Sequence, residues 1–408
     1  MPRASEPLTI IWDDRFRDYD FGPDHPFREL PRYLAVRLLM ASGRLPSGQD
    51  QSVRWVDQVR PASRGELLDF HRDEYLALVE LASDRADSIP LDQGDTPSFR
   101  GCYDAAARIV AGLIAGLDSV AETGGRAFHP AGGLHHAHPD RASGFCIFND
   151  IAVGIAHTLA RSGPVRRIAY VDIDAHHGDG VMYGYYGDGR VLDIDFHQDG
   201  RTLFPGTGSI PESGRGDGAG LKVNIPLPPG SGDETFGPLF RRVVPSLIRD
   251  FRPDLILLQH GVDGHRGDPL TQLDYGPSSY RLALSTLLEL SRELCAGRLV
   301  VTGGGGYQPS VVSCRLAEAG LRLASDAAAP ADEEATPLSW QAEYVQFTGL
   351  TAPRHWGEPA RTPGPPSSGV TEGILEELRR CLGRDFPDDG GSAREVRLSE
   401  RGGNTFDR

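Results

Sequence analysis

Six short segments of the chain are rich in Val, Ile and Leu and close on a Gly, Asp, His or aromatic residue or a polar turn. They are Leu8–Trp12, Arg126–His129, Arg167–Asp172, Val191–Phe196, Asp254–Gln259 and Arg298–Thr302. Nearly unbroken apolar runs of this length predict strands buried on both faces, as in a parallel sheet. Between them, apolar positions recur at three- and four-residue steps, which predicts helices over Leu30–Ala41, Asp104–Glu122, Asp150–Ala160, Glu234–Phe251 and Ser278–Leu294. The Asn149-Asp150 pair stands where a cap for the third of these belongs. Strands alternating with helices predict an α/β fold with a central, mostly parallel sheet and helices on both faces. The pattern changes at residue 326. Residues 326–369 turn into an Ala-, Pro- and Gly-rich stretch that reads as a surface excursion, Thr371–Leu382 predicts one last short helix, and the tail from Pro387 is expected to fray. Residues 1–325 therefore read as the main domain and 326–408 as an extension. No internal repeat is visible, and nothing in the pattern specifies an oligomeric state.

Charge and cysteine content narrow the classes. A net charge of −15 leaves no excess of cations to displace counterions from a phosphate backbone, so no nucleic-acid partner is expected. It favours cationic substrates. The five cysteines are an odd set with no CxxC pair, which argues against a disulfide framework and for a reducing compartment. No apolar run approaches 18 residues and the first residues lack the pattern of a secretory signal, so no membrane partner is expected and a cytoplasmic location is.

The chemistry concentrates in the middle of the chain, where eight of the 13 histidines fall between residues 129 and 197. Four polar motifs stand out: AGGLHHAHPD (131–140), YVDIDAHHGDG (170–180), QHGVDGHRGDP (259–269) and TGGGGY (302–307). The last three each follow directly on a predicted strand, and ligands of open α/β sheets bind beyond the carboxyl ends of the strands. Asp174 and His176 are two residues apart, so in extended chain they point the same way and can reach one cation; Asp172 is in phase with them. A catalytic metal site typically takes a third protein ligand and keeps an open position, and Asp263, just past a strand end, is the best candidate. The adjacent imidazoles of His135 and His136 diverge too much to share one metal, but each can bond its own carboxylate and so become a differently tuned acid/base group. Tyr307, after four glycines, can donate a hydrogen bond to an oxyanion. Phe145 in GFCIFND and Phe204 in LFPGTG can wall a narrow apolar tunnel. Taken singly, each motif also has an ordinary reading: solvated strand ends, a polar loop, packed aromatic residues.

Together, GGLHHA, SGFCIFND, DIDAHHGDG, FPGTG, GVDGHRGDP and GGGGY make the chain resemble the histone deacetylase family over residues 8–325, most closely its acetoin-utilisation (AcuC-type) branch. The resemblance implies a single arginase/deacetylase-like domain with a sheet of about eight strands. It implies metal-dependent hydrolysis of acetyl-lysine amides. By that resemblance Asp174, His176 and Asp263 hold the metal, Zn2+ by default with Fe2+ as the alternative, since oxygen donors select weakly. His135 and His136 form the catalytic pair, backed by Asp172 and Asp179, with His136 as general base and His135 tuning the site. Tyr307 polarises the carbonyl. Phe145, Phe204, Gly144, Gly305 and Leu270 line the substrate tunnel, with Asp95 as the rim acid. K+ is implied at two sites, one formed by Asp172, Asp174, His176, Asp195 and Phe196, the other by Tyr185, Asp188, Val191 and Leu221. One stretch departs from the family: HPFRELPRYL rewrites the approach to the arginine at the foot of the acetate pocket, which falls to Arg32 with Arg28 as its rival. The implied partner is acetylated lysine on a protein, such as a metabolic acyl-CoA synthetase, with small acylated amines as the other substrate class. Three rival readings stand beside this one: an acetylpolyamine amidohydrolase, a dimanganese hydrolase of the arginase type, for which carboxylates are too few, and a non-catalytic acyl-lysine binding module. Outside these assignments, His177 is placed behind the ligands, His265 near the tunnel mouth, and His260 in a structural role.

Overall fold

The computed structural model describes residues 7–45, 52–85, 89–92, 94–325, 328–358 and 368–387. Among these residues, eight strands form one sheet: β1 (Leu8–Ile11), β2 (Val53–Val56), β3 (Arg126–His129), β4 (Ile168–Asp172), β5 (Val191–Gln198), β6 (Lys222–Leu227), β7 (Leu255–Gln259) and β8 (Leu299–Thr302). Every ladder is parallel, and the spatial order is β2-β1-β3-β8-β7-β4-β5-β6. The expected α/β class and eight-stranded sheet are what the structure shows. Alternation along each strand splits its residues between two cores. In β7, Ile256 and Leu258 face the helices Leu30–Ala41, Asp233–Phe251, Pro277–Leu294 and Pro309–Ala324. Leu255 and Leu257 face Asp73–Ser83, Cys102–Thr123 and Asp150–Ala160.

Two strands were not evident in the pattern. Val53–Val56 is a four-residue edge strand. Lys222–Leu227 reads KVNIPL, and a Lys, an Asn and a Pro make it look like a loop; it lies at the opposite edge, where a proline costs no ladder bond on its open side. The helices Asp73–Ser83 and Pro309–Ala324 were also missed.

Part of the extension packs into the first core. A helix over Leu338–Thr348 lies within the expected excursion, and Ser368–Leu382 forms the expected last one. Trp340 is fully buried and its Nε1 donates to the Leu34 carbonyl at 2.8 Å, while Trp356, Leu375, Leu378 and Phe386 join the same core. Residues 359–367 and the tail beyond Pro387 lie outside the described residues. We expect Trp340→Ala to cost about 3–5 kcal/mol, the usual range for emptying a buried aromatic site. Urea unfolding would measure it, and a loss under about 1 kcal/mol would mean that the extension is not part of the cooperative unit. No helix among the described residues is long and apolar enough to cross a membrane.

Candidate active site

Strands β3, β8, β7 and β4 are consecutive in the sheet, and their carboxyl ends lead into the four motifs. Residues far apart in the chain thereby meet in one place. The loop after β4 carries Asp174 and His176, and the loop after β7 carries Asp263; all three are buried, with candidate ligand atoms within 4.8 Å of one another. His176 Nδ1 lies 3.1 Å from Asp174 Oδ1 and 2.8 Å from Asp263 Oδ2. The outer carboxylate oxygens are fixed by N–H donors: Gln259 Nε2 at 2.8 Å and the Gly305 amide at 2.6 Å on Asp174 Oδ2, and the Ala175 amide at 2.7 Å on Asp263 Oδ1. Two carboxylates and one imidazole thus converge at a point with no room for a side chain. A Cβ on Gly305 would overlap Asp263 Oδ2, and one on Gly261 would overlap Asp174 Oδ2. Burial pushes Asp263 up, and the neighbouring Asp174 carboxylate adds to it. Burial acts on Asp174 in the same sense, but His135 and His176 outweigh it and hold Asp174 low. A divalent cation suits such a set, because it neutralises two buried carboxylates that otherwise repel each other.

The tandem histidines come from the loop after β3, which the next helix holds from both sides. Asn149 caps that helix by accepting from the Ala152 amide at 2.8 Å, and its Nδ2 donates to the His135 and Ala137 carbonyls at 3.0 and 2.9 Å. The Asp150 carboxylate accepts from the Gly133 and Leu134 amides. The cap expected from the pattern therefore has a second task, that of fixing the loop. His135 Nδ1 lies 2.8 Å from Asp172 Oδ2, which also accepts from the Tyr170 hydroxyl at 2.5 Å. His136 Nδ1 lies 2.8 Å from Asp179 Oδ1. The two Nε2 atoms are 3.1 Å apart. Their environments push them in opposite directions. Burial lowers both, but the Asp172 and Asp174 carboxylates raise His135 to about 10, whereas burial and the charge on His135 bring His136 down to about 4 against the pull of Asp179. A pair of groups driven apart in this way suits one charged and one neutral role.

Tyr307 follows β8 and its ring stands edge-on to His176 at 6.3 Å and to Phe145 at 6.0 Å. Burial, with the Asp263 and Asp174 carboxylates, keeps its phenol well above the usual value, so it stays a donor. Phe145 sits at φ 67°, a costly conformation for a bulky residue, held by its amide on Thr96 Oγ1 at 3.0 Å and its carbonyl under the Tyr19 hydroxyl at 2.6 Å. Phe204 stands edge-on to His136 at 5.1 Å, and a Cβ on Gly144 would strike both rings. Tyr307, His135, His136, Gly144, Asp174 and His176 line a cavity of about 20 Å³ that also touches Phe27, Leu134, Cys146 and Gly304. Outside it, a rim cavity of about 500 Å³ is lined by Asp92, Asp95, His138, Arg141, Tyr183 and Phe204. Asp95 is exposed there, its carboxyl raised to about 6 by partial burial and by Asp92.

Arg32 is buried beneath the glycine loop, with Nη2 on the Gly304 carbonyl, Nη1 on the Arg28 carbonyl at 3.0 Å, and its guanidinium over the Phe27 ring. Arg28 instead reaches outward to Asp20. Asp195 and Phe196, in β5, lie beside Asp172, the last residue of the adjacent β4. Of the other carbonyl set, Asp188 and Val191 accept from Lys222 Nζ. His177 is buried with Nδ1 on Thr207 Oγ1 at 2.9 Å, and His260 is buried beside Tyr280. His265 is not at the mouth: it is buried, stacked near Tyr280 and paired with Glu358 at 2.8 Å, because the loop after β7 turns under the extension.

Two residues were missed. His138 Nε2 holds the second oxygen of Asp179 at 3.0 Å, so one carboxylate serves two imidazoles. Asp268 bridges the loops by accepting from the Leu270 amide at 2.9 Å and the Tyr307 amide at 2.8 Å, which places Leu270 next to the tyrosine. The only sequence signals were a third histidine two residues past the pair and an acid closing the GDP turn.

A family model described as the histone deacetylase domain matches residues 29–321. The acetoin utilization protein AcuC of Bacillus subtilis (strain 168) is 34% identical over 387 residues, covering 92% of this chain and 96% of its own length. Proteins of the same name from Staphylococcus aureus (strain MSSA476) and Staphylococcus xylosus are each 32% identical, over 87% and 88% of this chain.

Proposed function

From the premise that this chain belongs to the histone deacetylase family, we propose that it hydrolyses the acetyl-lysine amide of proteins, releasing acetate and the free amine. The observation that carries the reading is the meeting of the Asp174, His176 and Asp263 cluster with a differently tuned histidine pair and a protonated tyrosine around one small cavity. A divalent cation, Zn2+ or Fe2+, held by the three ligands supplies Lewis acidity to the carbonyl and to the attacking water.

The remaining steps belong to the chain. Neutral His136 takes a proton from water at Nε2, while Asp179 holds its Nδ1 proton and with it the tautomer. Charged His135, fixed by Asp172, sets the field and keeps His136 neutral until that transfer. His136 then returns the proton to the leaving amine as the carbon–nitrogen bond breaks. Tyr307 donates to the carbonyl oxygen as it gains negative charge. Phe145 and Phe204 flank the lysine stem and exclude water from it, and Asp95 at the rim accepts from the substrate backbone. Arg32 stands at the foot, where the acetate forms.

A cavity of about 20 Å³ takes a methyl group and little more. We therefore expect a butyryl-lysine peptide to be cleaved about 10- to 100-fold more slowly than the acetyl peptide, since overfilling a packed site costs roughly 1–3 kcal/mol. Comparable rates on the two would mean that the pocket under Phe27 and Leu134 opens. The function itself is tested by acetate release from a fluorogenic acetyl-lysine peptide, with and without prior chelation, run beside acetylspermidine. Chelator-sensitive release from the peptide is expected. Release from acetylspermidine alone would transfer the chemistry to polyamines, and release unaffected by chelation would remove the metal. The location we propose is the cytoplasm, where Cys102, Cys146, Cys295, Cys314 and Cys381, all unpaired, stay reduced. The protein target we propose is a metabolic acyl-CoA synthetase; unchanged acetylation of that enzyme in a strain lacking this chain would exclude it.

A further inference from the structure

The resemblance implies a second potassium site on the main-chain carbonyls of Tyr185, Asp188, Val191 and Leu221, and the residues around those carbonyls do not fit a potassium ion. Lys222, the first residue of β6, has no solvent exposure. Its Nζ donates to the Val191 carbonyl at 2.7 Å and to the Asp188 carbonyl at 3.4 Å. Asp193 pairs with Lys222 in the β5–β6 ladder and is itself buried, with neither carboxylate oxygen in a hydrogen bond. Burial pushes its carboxyl well above the usual value, against the pull of the Lys222 ammonium. A primary ammonium and a potassium ion carry the same charge and are close in size, and both satisfy a cluster of carbonyl oxygens. They cannot occupy one cluster together, because two like charges within a few ångströms repel strongly in a buried setting.

We infer that Lys222 is a built-in cation that takes the place of the second potassium ion, binding the Asp188 and Val191 carbonyls, so that this chain has no potassium at that cluster. Burial lowers the Lys222 amine to about 8, against the pull of Asp193 and Asp188, so it remains charged at neutral pH. The cluster lies at the far end of β5 from the candidate active site, where β5 enters the sheet. The lysine is thereby a structural substitution: its hydrogen bonds tie the turn at Asp188 and the start of β5 to the edge strand, with a cation that is part of the chain and cannot dissociate. Any potassium dependence that remains belongs to the oxygens of Asp172, Asp174, His176, Asp195 and Phe196.

Thallium(I), which scatters anomalously and mimics potassium, tests this in crystals of the full chain. The unmodified chain is expected to show no anomalous peak among the Tyr185, Asp188, Val191 and Leu221 carbonyls. Lys222→Ala is expected to show one there, and to gain a rise in Tm with KCl at constant ionic strength beyond that of the unmodified chain. Lys222→Ser serves as a second variant should the alanine chain fold poorly. A thallium peak at the cluster in the unmodified chain overturns the inference. So does a folded variant with neither peak nor potassium-dependent Tm, because the ammonium would then not be standing in a cation site.

Discussion

Asp263→Ala is expected to purify without bound metal and to turn over no faster than the chelated parent, a loss of several kcal/mol of Lewis-acid stabilisation, or about 10³-fold or more. Its effect on the stability of the metal-free chain should be small. Without a cation, Asp263 and Asp174 bring two carboxylates to His176, and burial raises Asp263 against its own ionisation. Removing one carboxylate relieves that repulsion, at the expense of an acceptor for the Ala175 amide. The metal-free variant should therefore unfold within a few degrees of the metal-free parent. What it should lose is the gain in Tm on adding Zn2+, since a ligand stabilises only the state that binds it. Metal content and Tm with and without Zn2+ separate these effects. A variant that keeps one equivalent of metal would remove Asp263 from the ligand set.

Tyr307→Phe should produce the complementary result. The ring is positioned without help from its hydroxyl: Asp268 holds the backbone amide, and Phe145 and His176 contact the ring edge-on. The ligands are untouched, so metal content and KM should stay near the parent values. The variant lacks only a donor at the carbonyl oxygen, and loss of one such donor typically lowers kcat by about 10²–10³. A fall in kcat at constant KM identifies an interaction made only in the transition state. Unchanged kcat would reduce Tyr307 to a packing residue and leave the histidine pair as the nearest remaining source of a proton for the oxygen.

The parts of this site that could be read from sequence are those whose chemistry is local. Asp174 and His176 are two residues apart just past β4, and a two-residue step needs no knowledge of the fold to suggest a shared target. The apolar runs of β3, β4, β7 and β8 could be read because those strands are central and buried on both faces. The edge strand β6 could not, because an edge strand can carry Lys222 and Pro226 and still pair on one side. The partnerships were out of reach for a different reason. That Asp179 serves His138 as well as His136, and that Asp268 joins Leu270 to Tyr307, depends on loops that meet only across the sheet. The burial of Trp340 against Leu34 is of the same kind: no periodicity in a Pro- and Ala-rich stretch announces a partner some three hundred residues earlier.

The strand order has a consequence for how the chain acquires this site during synthesis. β3 and β4 leave the ribosome early, yet they are not neighbours; the gap between them is filled by β7 and β8, the last two strands made. Until residue 302 has emerged, His135 and His136 on one side and Asp174 and His176 on the other belong to two halves of an unfinished sheet with exposed inner edges. Such non-local closure is slow, and open strand edges of this kind invite association with other chains. The ion-binding cluster forms when β7 pairs with β4, and the histidine pair joins it only when β8 closes the gap to β3, so retention of a divalent ion reports the first of these steps. An added metal should then raise the yield of refolded protein by trapping β7 against β4, without hastening the earlier steps.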